Sequence, residues 1–171
     1  MNKEQFETLS PSEKRVEIAK DVVASIRKGQ YYACSGVYVH PNYTVDCHDD
    51  EQFQNLLKNN EVTCSVCAIG ACFMSLIRFT NNLTVGEYHS SSSRFGQDND
   101  FRRRLEEYFP PEQLGLIEAA FEQAEGFALN MGVDSGLATK AMNFRTDEED
   151  DEDALIRICE NITENNGEFI P

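Results

Sequence analysis

The stretch CSVCAIGACFMS, residues 64–75, decides how this chain folds. It holds three of the six cysteines, Cys64, Cys67 and Cys72. From about Ser65 to Phe79 the side chains are apolar nearly all round, and a helix without a polar face belongs in the middle of a protein. Gly70 lowers helix propensity, so its place here points to a neighbouring element that approaches closely. The reading is a buried central helix whose first turn carries Cys64 and Cys67.

Working outward, Ser10-Pro11-Ser12-Glu13 is a helix start. Ser10 caps, Pro11 fits the first helical position and Glu13 completes a capping box. Val16, Ala19, Val22, Val23 and Ile26 follow at helical spacing, and Gly29 stops the run, which gives a helix over 11–28. QYYACSGVYVHPNYTV (30–45) is rich in β-branched and aromatic residues and reads as a strand or hairpin arm, turned at Pro41-Asn42. HDDEQFQNLLKNN (48–60) reads as a short helix capped by Asp49, with Phe53, Leu56 and Leu57 inward. After a polar connection with a short strand at Leu83 to Val85, Asp98 or Asp100 caps the helix FRRRLEEYF. Pro110-Pro111 ends it and starts the next, with Leu114, Ile117 and Phe121 inward. Residues 126–153 read as an irregular, acidic loop or arm. A last helix presents Leu155, Ile158 and Ile162. No internal repeat is visible. The fold class is therefore mostly α with a small β element (α+β), a compact single domain over 1–171 built around the central helix.

The formal net charge is −15, with 30 acidic against 15 basic residues. That balance disfavours direct binding to nucleic acid, which depends on cations displacing counterions from phosphates. It favours a basic or nucleic-acid-binding protein as partner, alongside plain solubility, and a homo-oligomer is compatible with it. The N-terminal stretch MNKEQFETLSPSEKRVEIAK lacks the apolar segment of a signal peptide, and the longest apolar run is too short to span a bilayer. The setting expected is cytoplasmic, with reduced thiols.

Three stretches, RVEIAKDVVASIRKGQY, TCSVCAIGACFMS and LIRICENITENNGEFIP, together resemble a family of small uncharacterised proteins from bacteria and their phages. The resemblance implies a cytosolic protein of phage or mobile-element origin. Small acidic phage proteins often bind and inhibit a host protein, defence systems included.

Four candidate sites follow from the residues. Cys64 and Cys67 have the spacing of half a zinc site, and Cys47 and His48 are the best second pair. No second Cys-x2-Cys exists, so no cofactor is expected. Cys67 at a helix start, with His89 as base and Asp98, Asp100 or Glu87 as orienting acid, is the minimal set for a cysteine-dependent hydrolase. A buried, inert thiol is the competing reading. Arg94 with Arg102, Arg103 and Arg104 is the basic concentration of the second half, suited to a phosphate-bearing or nucleotide ligand. The unbroken acidic run Asp147, Glu148, Glu149, Asp150, Asp151, Glu152 and Asp153 suits a helix start electrostatically. It is also a docking surface for a basic partner. With no complete catalytic constellation, a non-enzymatic binding protein is the leading expectation.

Overall fold

The computed structural model describes residues 1–42, 49–83, 100–146 and 148–171, and for 100–102 the backbone path alone. Within them are nine helices and three short strands. In chain order they are α1 (Lys3–Glu7), α2 (Pro11–Arg27), β1 (Tyr31–Ala33), β2 (Val39–Pro41), α3 (Asp50–Lys58), β3 (Cys64–Val66), α4 (Ala68–Thr80), α5 (Asp100–Glu106), α6 (Pro111–Glu122), α7 (Gly126–Leu129), α8 (Ser135–Met142) and α9 (Asp151–Glu164). The α+β class expected from the sequence is what the chain adopts.

The capping signals act as read. Ser10 accepts from the Glu13 backbone N–H while the Glu13 carboxylate accepts from that of Ser10. Such a cap contributes about 1 kcal/mol. Gly29 takes φ +69, the left-handed turn that ends α2. Asp49 caps α3 through the Gln52 N–H.

The central helix is where the sequence put it, but it starts later. Cys64–Val66 is a strand, and Cys67 is the N-cap of α4. Residues 68 to 77 of α4 are all buried. The strand forms because Cys64 and Val66 alternate inward while both strand edges find partners. β1 pairs with β3 in parallel, Tyr31 opposite Cys64, and β2 pairs antiparallel, Val39 opposite Val66. The expected hairpin arm is therefore two arms that never pair with each other, because β3 lies between them in the order β1-β3-β2. The short strand expected at Leu83 to Val85 runs into residues outside those described.

Gly70 explains this topology. A Cβ there would lie 1.5 Å from the Tyr38 carbonyl oxygen and 3.1 Å from Val39 Cγ2. The β1–β2 connection thus presses its backbone onto α4, and the Cys67 N–H donates to the Val37 carbonyl at 2.6 Å.

Residues 126–153, expected to be irregular, are largely ordered. Asp134 caps α8 through Gly136 and Leu137, and Ala128, Val133, Ala138 and Ala141 are buried against α6. Their small side chains let α7 approach closely: a Cβ on Gly115 would sit 3.0 Å from Met131 Cγ and 3.1 Å from Ala128 Cα. Elsewhere α9 lies along α2.

The chain's end is tied to this layer. Gln113 brackets Phe169, accepting its N–H at 2.6 Å, and Asn161 does the same to Ile170 at 2.8 Å. Arg15, buried in α2, donates through Nε to the Gly167 carbonyl at 2.6 Å and through Nη1 to that of Tyr108 at 3.0 Å. A buried guanidinium is tolerable when its donors are matched in this way.

Replacing Gly70 by alanine should cost at least about 3 kcal/mol, because the methyl meets a backbone carbonyl and not a side chain that can turn away. Urea unfolding checks this, and an unchanged midpoint would contradict the close approach.

Candidate functional site

The residues at the N-terminal end of α4 come from four distant parts of the chain. The β1–β2 turn reaches over to α6 and α9. Its Gly36 N–H donates to Glu122 at 2.9 Å, the Ser35 hydroxyl to the same carboxylate at 2.5 Å, and the Ser35 N–H to Asp151 at 2.8 Å. The Tyr38 hydroxyl donates to Glu118, a carboxylate only 2% exposed. Gly36 adopts φ +76, which a turn this tight requires of it. These contacts lay beyond the sequence reading, because each joins residues at least eighty positions apart.

Cys67 sits among these groups and is 2% exposed. The sequence reading of it as a nucleophile required an acidified thiol. The surroundings do the opposite. Burial pushes its pKa well up and the Glu122 and Glu118 charges push it further, while the N–H groups of Gly70 and Ile69 pull only partly back. The helix N-terminus is present, but desolvation outweighs it. His89, its proposed base, and the side chains of Asp98, Asp100 and Glu87, its proposed acids, lie outside the described residues. The other core thiols behave alike. Burial raises Cys64 to about 12, against the opposing charge of Arg78, and raises Cys72 to about 12. Cys159 is raised well above the usual thiol value for the same reason.

The half zinc motif does not assemble either. Cys64 and Cys67 stand three residues apart on extended backbone, so their side chains leave on opposite faces. Cys64 feels Arg78, whereas Cys67 feels Glu118 and Glu122. Among the described residues no three His, Cys, Asp or Glu side chains are grouped to hold a metal ion. Cys47 and His48 lie outside them.

The proposed anion cluster is only partly visible. Arg94 and the Arg102 side chain are outside the described residues, and Arg103 is exposed on α5. Arg104 turns inward, donating to the Asn82 carbonyl with its guanidinium 5.2 Å from the centre of the Phe73 ring.

The acidic run is divided in its roles. Asp147 lies outside the described residues. Glu149 accepts from Arg157 at 2.6 and 2.8 Å, and Asp151 forms an ion pair with Arg145 at 2.6 Å. Asp150 is the N-cap of α9, accepting from the Asp153 N–H at 2.8 Å. Arg145 also donates to the Phe121 carbonyl, and Arg157 lies 4.3 Å from the Phe144 ring centre. Glu148, Glu152 and Asp153 remain exposed on this braced scaffold. The hydrogen bonds from Arg157 hold the Glu149 carboxyl below the usual range, burial opposing them.

No helix among the described residues is long and apolar enough to cross a membrane. No protein-family model, no curated protein and no solved structure matches this chain.

Two measurements test this geometry. With iodoacetamide at pH 7.5, Cys34, which is partly exposed, should be alkylated before the buried thiols Cys64, Cys67, Cys72 and Cys159. Cys67, Cys72 and Cys159 should react at least about a hundredfold more slowly than a free cysteine peptide. A Cys67 as fast as the peptide would restore the nucleophile reading. The second concerns acid. A carboxyl whose folded pKa is lowered contributes its stability above the ordinary glutamate range, and that contribution is lost as pH falls through the lowered value. Glu149→Gln should therefore cost about 1 kcal/mol at pH 7, and the difference from wild type should fade below about pH 4. Equal costs at pH 7 and pH 3 would show that the charge plays no part.

Proposed function

We propose that this chain is a small acidic binding protein that engages a basic protein partner through the carboxylates at the start of α9. The observation that carries the reading is the bracing of that helix end. Arg145, Arg157 and the Ser35 N–H hold it, so Glu148, Glu152 and Asp153 form a fixed surface in place of a loose acidic tail. A pre-ordered surface loses less conformational entropy on binding than a disordered one. The net charge of −15 adds long-range attraction that speeds encounter with a basic partner. The resemblance to small bacterial and phage proteins directs the search toward a host or defence protein, with inhibition as the outcome of binding. The buried thiols favour this reading over a cysteine-dependent hydrolase, since a nucleophile must reach its substrate.

The test is a pull-down from host lysate at low and moderate salt, with wild type beside a variant carrying Glu148→Lys, Glu152→Lys and Asp153→Lys. A basic protein retained by wild type, weakened by salt and lost from the variant is expected. Recovery of no specific partner, or equal recovery by both proteins, would overturn the proposal.

A further inference from the structure

A cleft of about 420 Å³ opens between α1, the end of α3 and the end of α4. Its walls include Lys3, Asp21, Lys58, Arg78, Phe79 and Asn81. The chain as a whole carries two acids for every base, 30 against 15. This cleft reverses the balance, with three cations and one carboxylate.

Arg78 is the fixed point. Its guanidinium is only 14% exposed and is held by Asp21 at 3.2 Å, by the Ser25 hydroxyl at 2.6 Å and by the Asn60 side-chain oxygen. Those partners take three of the five N–H groups of an arginine. Nε and one Nη2 hydrogen remain to donate to an acceptor such as a phosphate oxygen. Asp21 is the one acid at the site. Burial raises its pKa against the pull of Arg78, and its carboxylate orients the guanidinium. Lys58 in the last turn of α3 and Lys3 on α1 supply charge at the rim, Lys3 standing 3.7 Å from Glu7. Phe79 gives the cleft an apolar wall. Its ring is stacked on Phe6 with centroids 4.8 Å apart and planes 12° from parallel, so it is held flat and has one face already packed.

We propose that this cleft binds a small phosphate-bearing molecule with a planar ring, of mononucleotide size. The phosphate would lie against Arg78 and Lys58 and the ring against Phe79. The volume falls within the range of about 300–1,000 Å³ usual for small-molecule sites. The site is independent of the acidic surface on α9, so either can fail without the other.

The full chain would be titrated with AMP, adenosine and inorganic phosphate, followed by calorimetry and amide NMR spectra. AMP should bind saturably, shift the amide signals of Phe79 and Asn81, and bind at least about tenfold more tightly than adenosine or phosphate. Lys58→Glu, at an exposed position, should weaken AMP about tenfold while thermal unfolding confirms that it folds. Lys140→Glu, exposed on α8, should leave binding unchanged. Absence of saturable shifts at Phe79 and Asn81 would overturn the proposal. So would equal losses in the two lysine variants, which would mark a general charge effect. Phosphate binding as tightly as AMP would overturn the assignment of a ring to the Phe79 wall.

Discussion

The contact between the Tyr38 carbonyl and Gly70 is the constraint on which the rest of the structure depends. Only a residue without a Cβ lets backbone lie directly on the central helix. With that approach allowed, the β1–β2 connection crosses α4, the Cys67 N–H finds the Val37 carbonyl, and β3 runs between the two arms. The same crossing carries Ser35 and Gly36 to Glu122 and Asp151. The turn's share in bracing the acidic end of α9, the Ser35 N–H on Asp151, depends on a glycine far away in sequence.

Two polar systems, each with one buried member, Glu118 and Ser25, flank α4. At its N-terminal end lie Glu118, which accepts from Tyr38, and Glu122, which accepts from Ser35 and Gly36, two carboxylates beside a positive helix end. At its C-terminal end Arg78, Asp21, Ser25 and Asn60 form the second system. Cys64 and Cys67 fall on opposite sides of the strand and so into different systems. Neither thiol is acidified, since both are buried and the charges beside Cys67 are negative. The cysteine-rich motif is the packed floor between two polar clusters, and the chemistry of the chain lies in the clusters and on the outer surface.

Much of the helical skeleton was legible in the sequence because its signals are local. Ser10, Pro11, Glu13 and Gly29 bound α2 within one stretch, Asp49 opens α3, and Pro111 opens α6. The buried character of α4 was equally plain from its lack of a polar face. The start of α4 was not, because Cys64-Ser65-Val66 continues the apolar run that follows it, and only the partners on both edges make it a strand. The sheet order depends on pairings thirty positions apart, which local patterns do not encode. The helices of residues 126–142 are short and broken by Gly126, Gly132 and Gly136, so they resemble loop until α6 supplies a surface for Ala128, Ala138 and Ala141. In the acidic run, composition marked the segment, but only the positions of Arg145 and Arg157 separate structural carboxylates from exposed ones.

The cysteine-bearing segment is the rigid hub of the fold and not a mobile site. Native-state hydrogen exchange resolved by residue tests it most directly. The Cys67 amide and the amides of α4 from Ala71 to Ile77 should exchange only with global unfolding, more slowly than those of α1. Exchange of Cys67 and the first turns of α4 through local opening, at rates like those of α1, would contradict it and return the thiols to consideration as reactive groups.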